Sequence, residues 1–171
     1  MGKKSLNIVL IGMMGSGKSM IAKELGRQLS RKVYAIDALI ERKARKPIKD
    51  IVARKGWPYF RALEHRLIKE VSTKHGAIID CGGGVVLNPD NLKLLRKHGK
   101  IFFIKAYPAV IYRRIKDDPN RPLVNVPNPL GEIRRIYKER LPLYNQADVK
   151  VNASSASIAG PVARIIKEIS K

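Results

Sequence analysis

The sequence predicts an α/β fold in three layers, in which a five-stranded parallel sheet lies between two layers of helices. Short apolar segments that resemble buried strands alternate along the chain with longer segments whose apolar residues recur at helical spacing. A glycine-rich loop follows the first of these strands and opens the first helix. Because parallel strands are joined by crossover helices, the alternation indicates a sheet that is covered on both faces.

The strands are predicted from short apolar runs. The first, at 7–11, is apolar after its first residue, as expected of a strand buried on both faces. The helix that follows, at 20–29, places Ile21, Leu25 and Leu29 on one face. Four further strands are predicted, at 32–36, 77–81, 100–104 and 148–152.

Proline and glycine residues set the predicted ends of the other helices. The second helix stops before Pro47, a short helical turn ends at Gly56, and a long helix ends before Gly76. Gly99 is expected to close the helix before it. After the first, the predicted helices are 37–46, 49–55, 58–75, 89–98, 108–116, 131–140 and 157–170.

Residues 12–19 read G-M-M-G-S-G-K-S, which is the complete phosphate-binding loop pattern in its required strand-to-helix context. Its glycines let backbone N–H groups turn toward a phosphate, and the helix N-terminus adds its dipole. We expect Lys18 to reach the β- and γ-phosphates and Ser19 to be a ligand of Mg²⁺, so that ATP and Mg²⁺ are the predicted cofactors. The predicted nucleotide-binding residues of this loop and the helix start are Gly12, Gly15, Ser16, Gly17, Lys18, Ser19 and Met20. For a P-loop domain of this kind we expect the strand order 2-3-1-4-5.

Composition limits the classes of protein that the chain can belong to. With 171 residues, of which 44% are hydrophobic and 29% charged, we expect one P-loop domain that spans residues 1–171. No apolar run is long enough to span a membrane, and a single cysteine fits a reducing compartment. We therefore expect a cytoplasmic monomer that has no membrane partner.

The chain is strongly basic, with a net charge of +21. Nucleic-acid-binding proteins have such a balance, but here the basic residues are spread along every predicted helix, and only 6% of residues are aromatic. We therefore expect no specific nucleic-acid binding. A positive field also suits anionic substrates such as ATP and a carboxylate.

Further groups that suit phosphoryl transfer are expected at the same edge of the sheet. Asp37 is predicted to end the second strand, and Asp80 with the triplet 82–84 ends the third. An acid, a glycine turn and several arginines can supply a base, a cradle and positive charge for the transferring group. Residues 117–130 contain four prolines and are the candidate mobile lid, while residues 37–65 are the candidate substrate-binding helical segment.

These motifs, taken in order and spacing, resemble those of shikimate kinases over nearly the whole chain. No single motif after the phosphate loop is very specific, but their combination is. The matching segments are 12–19, D-x-x-I-E at 37–41, G-x-x-x-F-R-x-x-E at 56–64, the glycines at 82–84, R-P-L at 121–123 and R-x-x-x-Y-x-x-A-D at 140–148. The resemblance implies transfer of the γ-phosphoryl of ATP to the 3-hydroxyl of shikimate, within aromatic amino-acid (chorismate) biosynthesis.

The resemblance also implies a role for each site residue. Asp37 would contact the reacting hydroxyl as the base, and Arg61 and Arg140 would clamp the shikimate carboxylate. The glycines would admit the substrate hydroxyls close to the backbone, and Arg121 would close over the phosphates with the lid. The implied catalytic residues are Asp37, Lys18 and Arg121, and the implied substrate-binding residues are Asp37, Arg61, Gly82, Gly83, Gly84 and Arg140.

Structural roles are possible for the same residues. Asp37 has the residue type of a helix N-cap, Arg61 could pair with Glu64 or Glu41, and Arg140 could satisfy carbonyls at a helix end. Trp57, which stands where shikimate kinases usually have Glu, is expected to pack rather than to bind. Two other functions stay open from the sequence: a kinase for another polyol acid such as gluconate, and a basic P-loop nucleic-acid-binding protein with weak or no kinase activity.

One departure from the family pattern affects the expected metal site. Shikimate kinases usually read D-x-D-x-x-I-E, and the first Asp, which assists magnesium, is Ala35 here. The third predicted strand ends in Asp80, where the family usually has a small residue. If that strand lies beside the first, Asp80 lies near Ser19. We therefore predict that Ser19 and Asp80 are the metal-binding residues.

Overall fold

The computed structural model of the protein describes residues 5–118 and 125–171. Within them, five parallel strands form one sheet in the order β2-β3-β1-β4-β5. The strands are β1 (Asn7–Ile11), β2 (Val33–Ala35), β3 (Ile78–Asp80), β4 (Gly99–Lys105) and β5 (Val149–Asn152). The predicted fold class and strand order are confirmed.

Two apolar cores lie on opposite faces of the sheet, because successive residues of a strand point to opposite sides. In β1, Ile8 and Leu10 pack on one face, and Val9 and Ile11 pack on the other. All four side chains are fully buried. The helices are α1 (Lys18–Leu29), α2 (Ile36–Ala44), α3 (Ile48–Val71), α4 (Pro89–Arg96), α5 (Pro108–Ile115), α6 (Pro129–Tyr144) and α7 (Ala159–Ile169).

Only some of the helix ends that were predicted from glycine residues occur in the structure. Gly56 breaks α3 into two helical halves, with φ 80° and ψ 168°, as the predicted boundary requires. The second half ends at Val71, however, and not at residue 75. Gly99 does not close a helix but begins β4, where a β-carbon would lie 2.8 Å from the Leu95 carbonyl oxygen and 2.9 Å from Val9. Glycine is needed there for close packing of the strand and not for a turn.

One further helix was predicted too short at both ends. The helix predicted at 131–140 extends over Pro129–Tyr144, since Pro129 fits the first turn of a helix. Residues 119–124, the centre of the predicted lid at 117–130, and with them Arg121, lie outside the described residues. Across residues 5–118 and 125–171, no helix combines the length and apolarity that a bilayer crossing requires.

Candidate active site

The phosphate loop joins β1 to α1 at the carboxyl edge of the sheet. Gly12 has φ 146° and Gly15 has φ 73°, conformations that side chains rarely adopt. A β-carbon on Gly12 would also lie 2.5 Å from the Ile104 carbonyl oxygen, and one on Gly15 would lie 2.7 Å from the Ile115 side chain. The loop is therefore seated on β4 and α5 in a shape that only glycine permits.

Lys18 is held inside this loop. Its Nζ donates hydrogen bonds to the carbonyl oxygens of Gly12 and Met13, both at 2.8 Å, and only 7% of the residue is exposed. Ser16 is fully buried, and its Oγ has no hydrogen-bond partner among the described residues. An ammonium group and an unpartnered hydroxyl at a helix N-terminus form a site suited to phosphate oxygens.

The structure brings the two predicted metal ligands together. Ser19 Oγ donates a hydrogen bond to Asp80 Oδ2 at 2.7 Å. Asp80 pairs in register with Leu10 of β1 on one side and with Ala35 of β2 on the other. Burial raises the pKa of Asp80, and the positive charge of Lys18 and the Ser19 hydrogen bond oppose that rise.

A hydroxyl and a carboxylate are the hard oxygen donors that Mg²⁺ prefers. Within residues 5–118 and 125–171, no three His, Cys, Asp or Glu side chains converge to form a metal cage. Mg²⁺ in kinases is held by one or two protein groups together with substrate phosphates, so a pair such as Ser19 and Asp80 fits that ion.

The sequence predicted that Asp37 ends β2. In the structure it lies instead in the first turn of α2. The strand stops at Ala35, opposite Asp80, and the helix begins at Ile36. Ala35 is the N-cap, and no side chain caps the helix, so the capping interpretation of Asp37 is wrong. Burial is the main effect on the pKa of Asp37 and raises it, and the negative charge of Asp80 acts in the same direction. The positive charges of Lys18 and Arg61 lower this pKa. The carboxyl group thus lies within electrostatic range of both cations.

Arg61 is held in an ion pair inside α3. Its Nη1 lies 2.8 Å from Glu64 Oε2, so the predicted pairing with Glu64 occurs, whereas Glu41 accepts a hydrogen bond from the Ile48 N–H. Only 1% of Glu64 is exposed, and its Oε1 has no hydrogen-bond partner among the described residues. Burial raises the pKa of Glu64, against the lowering effect of the Arg61 charge.

Arg140, near the end of α6, does not satisfy a carbonyl of its own helix end. Its Nη1 donates to the carbonyl oxygen of Gly83, at 3.2 Å. Arg140 and Arg61 line the same cavity, of about 410 Å³, together with Trp57, Pro58 and Leu87. The structure therefore places two guanidinium groups and apolar walls around one cavity, as binding of a small carboxylic acid requires.

Trp57 does more than pack. Its ring meets Phe60 edge-on, with centroids 5.7 Å apart, and lies 5.3 Å from the Arg61 guanidinium carbon. However, 51% of the residue is exposed, at the wall of the cavity. Trp57 therefore packs against Phe60 and Arg61, as expected, and it also lines the cavity.

The glycine triplet at 82–84 leaves room for the side chains of Asp37 and Arg61. A β-carbon on Gly82 would lie 2.6 Å from Asp37 Oδ1, and one on Gly84 would overlap the Arg61 guanidinium. Neither residue has a positive φ. These glycines are required by close approach to Asp37 and Arg61 and not by a special turn.

Two residues that contact the site, Arg114 and Tyr144, were not identified from the sequence. Arg114 of α5 donates to the carbonyl oxygens of Gly15 and Ser16, and on its other side to those of Ala153 and Ser155. Tyr144 donates its hydroxyl to the Gly83 carbonyl oxygen. Arg114 lies in a basic pair that resembles a solvated helix face, so the sequence carries no signal for it. Met20, predicted to bind nucleotide, is 63% exposed on α1.

Comparison with known proteins gives a consistent result. A family model described as shikimate kinase matches residues 14–170. The shikimate kinase of Thermodesulfovibrio yellowstonii is 38% identical over 162 residues, which cover 95% of this chain and 94% of that protein.

Solved structures agree with that match. Shikimate kinase from Acinetobacter baumannii, in complex with shikimate, superposes with a TM-score of 0.92 at 28% identity, covering 97% of this chain and 93% of that one. The enzyme from Aquifex aeolicus superposes with a TM-score of 0.79 at 34% identity, covering 96% and 94%.

Proposed function

The chain belongs to the shikimate kinase family, and we propose that it transfers the γ-phosphoryl group of ATP to the 3-hydroxyl of shikimate, releasing ADP and shikimate 3-phosphate. The relatives favour this reaction over the gluconate kinase and nucleic-acid-binding alternatives. The observation that carries the assignment of residues is the shared cavity of Arg61 and Arg140, close to Asp37 and the phosphate loop.

Arg61 and Arg140 are proposed to bind the substrate carboxylate. A guanidinium group offers parallel N–H donors that match the two oxygens of a carboxylate. The ion pair with Glu64 orients Arg61, and the Gly83 carbonyl orients Arg140. The apolar walls at Trp57 and Leu87 would pack against the substrate ring.

Asp37 is proposed to be the general base. The substrate hydroxyl oxygen attacks the γ-phosphorus, its proton moves to the Asp37 carboxylate, and the bond to the β,γ-bridging oxygen breaks as ADP leaves. The base must be ionised before the proton moves. Burial opposes ionisation, and the charges of Lys18 and Arg61 favour it.

The nucleotide phosphates are proposed to bind Gly12, Gly15, Ser16, Gly17 and Lys18. The Lys18 ammonium, now bonded to two loop carbonyls, would donate to the β- and γ-phosphate oxygens and stabilise charge in the transition state. For Arg121, closure over the phosphates is likewise a proposal, since that residue lies outside the described part of the chain.

Ser19 and Asp80 are proposed to hold Mg²⁺, directly or through water. Bound there, Mg²⁺ would supply positive charge beside the phosphates, where negative charge develops during transfer. Asp80 of β3 lies directly opposite Ala35 of β2. The family pattern has an Asp at the position of Ala35, so in this chain a carboxylate is present on the adjacent strand instead. This supports a site that Asp80 completes in place of Ala35.

The metal assignment can be tested by measuring the affinity of Mn²⁺ for the enzyme–ADP complex. Asp80→Ala should weaken that affinity by about tenfold, and Ala35→Asp in the same background should restore part of it. Asp50→Ala removes an exposed carboxylate from the first turn of α3 and serves as the control. Unchanged Mn²⁺ affinity in Asp80→Ala would discard the assignment.

The function itself is tested by ADP release with ATP and magnesium in the presence of shikimate, gluconate or no acceptor. We expect strong stimulation by shikimate alone. Stimulation by gluconate instead would reassign the substrate. Nucleic-acid binding that persists at physiological salt, without stimulated turnover, would favour the basic binding protein.

The assembly state and location are also proposals. The single, buried Cys81 fits a reducing cytoplasm, and the proposed site is built from one chain, which is consistent with a monomer. A molar mass near 19.2 kDa from light scattering would support the monomer, and twice that value would exclude it.

A further inference from the structure

Gly83 joins helix α6 to the phosphate loop. Its carbonyl oxygen accepts hydrogen bonds from two residues one turn apart on α6, Arg140 and Tyr144. On the opposite side, a β-carbon on Gly83 would lie 3.2 Å from the Met14 backbone nitrogen. The Gly83 backbone is therefore held between the end of α6 and the loop that follows β1.

The peptide between Gly83 and Gly84 also lies between the two arginines. Arg140 bonds to its carbonyl oxygen, and the Arg61 guanidinium lies so close to Gly84 that a β-carbon there would overlap it. Because the peptide is planar, fixing its oxygen also fixes the direction of the Gly84 N–H. The Gly83–Gly84 peptide is thus in contact with both guanidinium groups.

Tyr144 is suited to anchor this peptide. It is fully buried, and its ring stacks on Phe103 of β4, with centroids 5.0 Å apart and an interplanar angle of 17°. Burial raises the pKa of Tyr144 to about 12, so the hydroxyl stays a donor at physiological pH. Arg140, by contrast, lines the cavity, where its proposed role is to bind the substrate carboxylate.

We propose that Tyr144 is a positioning residue for the carboxylate clamp, whose hydroxyl fixes the Gly83–Gly84 peptide and thereby the spacing of Arg61 and Arg140. This inference rests on the proposed function of the two arginines. Tyr144 does not itself touch the substrate. Its loss should therefore weaken recognition of the carboxylate selectively and leave the nucleotide site unchanged.

The test is Tyr144→Phe, which keeps the ring stack and removes only the hydroxyl. We expect the KM for shikimate to rise about fivefold, as the loss of one buried hydrogen bond allows, with the KM for ATP unchanged. The preference for shikimate over its uncharged carboxamide should fall by a similar factor. If Tyr144 had a purely structural role, its replacement would change neither the ratio of the two KM values nor the preference for the carboxylate.

Tyr137→Phe is the matched control on the same helix. The Tyr137 hydroxyl is buried and has no hydrogen-bond partner within residues 5–118 and 125–171, so its removal should leave both KM values unchanged. A Tyr144→Phe enzyme that keeps the wild-type preference would overturn the role of Tyr144 alone. A wild-type enzyme that shows no preference for the carboxylate would overturn both the clamp and this inference.

Discussion

Replacement of Arg61 by lysine tests the carboxylate clamp most directly. Arginine can present two parallel N–H donors to a carboxylate, whereas lysine presents a single ammonium group. Arg61 also holds Glu64 at 2.8 Å, so one guanidinium serves a buried acid and, in the proposal, the substrate. Lysine can serve only one of these partners well.

The size of the effect follows from the lost contact. A hydrogen bond to a charged group contributes about 1.5–3 kcal/mol, so loss of one such bond should raise the KM for shikimate by roughly 10- to 150-fold. The KM for ATP should change little, because Arg61 lies at the cavity and not at the phosphate loop. A coupled assay that varies each substrate at saturating levels of the other measures both constants.

Arg66→Lys is the matched control, because it makes the same exchange on an exposed residue of α3 that lines a different cavity. Its kinetic constants should match those of the wild type. If Arg61→Lys raised both KM values equally, or changed only kcat, the assignment of Arg61 to the carboxylate would be refuted. The single tryptophan, whose ring lies 5.3 Å from Arg61, offers a parallel fluorescence titration of shikimate binding without ATP.

Three other substitutions test neighbouring parts of the site. Lys18→Ala should abolish turnover, because it removes the cation proposed to act on the transferring phosphoryl group; a variant with measurable kcat in the coupled assay would contradict that role. Arg114→Ala should raise the KM for ATP about tenfold or more and leave the KM for shikimate unchanged, because Arg114 connects the phosphate loop to the carbonyls of Ala153 and Ser155. A variant whose KM for ATP equals that of the wild type would contradict this role. Glu64→Gln should raise Tm at pH 7 and have little effect at pH 4, as followed by thermal unfolding without ligands. The pKa of Glu64 is raised above 4.5, so the folded state binds the extra proton, and wild-type stability falls as pH rises from 4.5 through the raised value. A variant that is less stable than the wild type at pH 7 would contradict this sign.

The elements that the sequence predicted best are those with a local cause. The phosphate loop needs glycines at fixed spacing between a strand and a helix, so Gly12 to Ser19 could be assigned before the structure was known. The kink at Gly56 likewise has a local cause, since its φ of 80° favours glycine. Helix ends were less predictable, because packing decided where α3 and α6 stop.

The role of a glycine could not be inferred from its presence. Gly99 looked like a helix stop, but it allows β4 to pack closely against Leu95 and Val9. Gly82 and Gly84 were predicted to admit the substrate hydroxyls, which stays a prediction. The structure adds that their lack of a side chain leaves room for Asp37 and Arg61. In each case a residue of a different secondary-structure element, Val9, Asp37 or Arg61, lies where a side chain would otherwise be.

By itself, the sequence determined that a parallel α/β sheet carries a phosphate loop at its carboxyl edge, because periodicity and motif spacing are local properties of the chain. It also indicated that Asp80 could approach Ser19, given the strand order. Only the tertiary structure decided that Asp37 lies inside a helix, that Arg61 and Arg140 share a cavity, and that Arg114 and Tyr144 contact the loops of the site. The hydrogen bonds of Tyr144 to Gly83 and of Arg114 to Gly15 join residues 61 and 99 positions apart. Contacts between residues so distant in the chain are decided by packing and not by any local pattern.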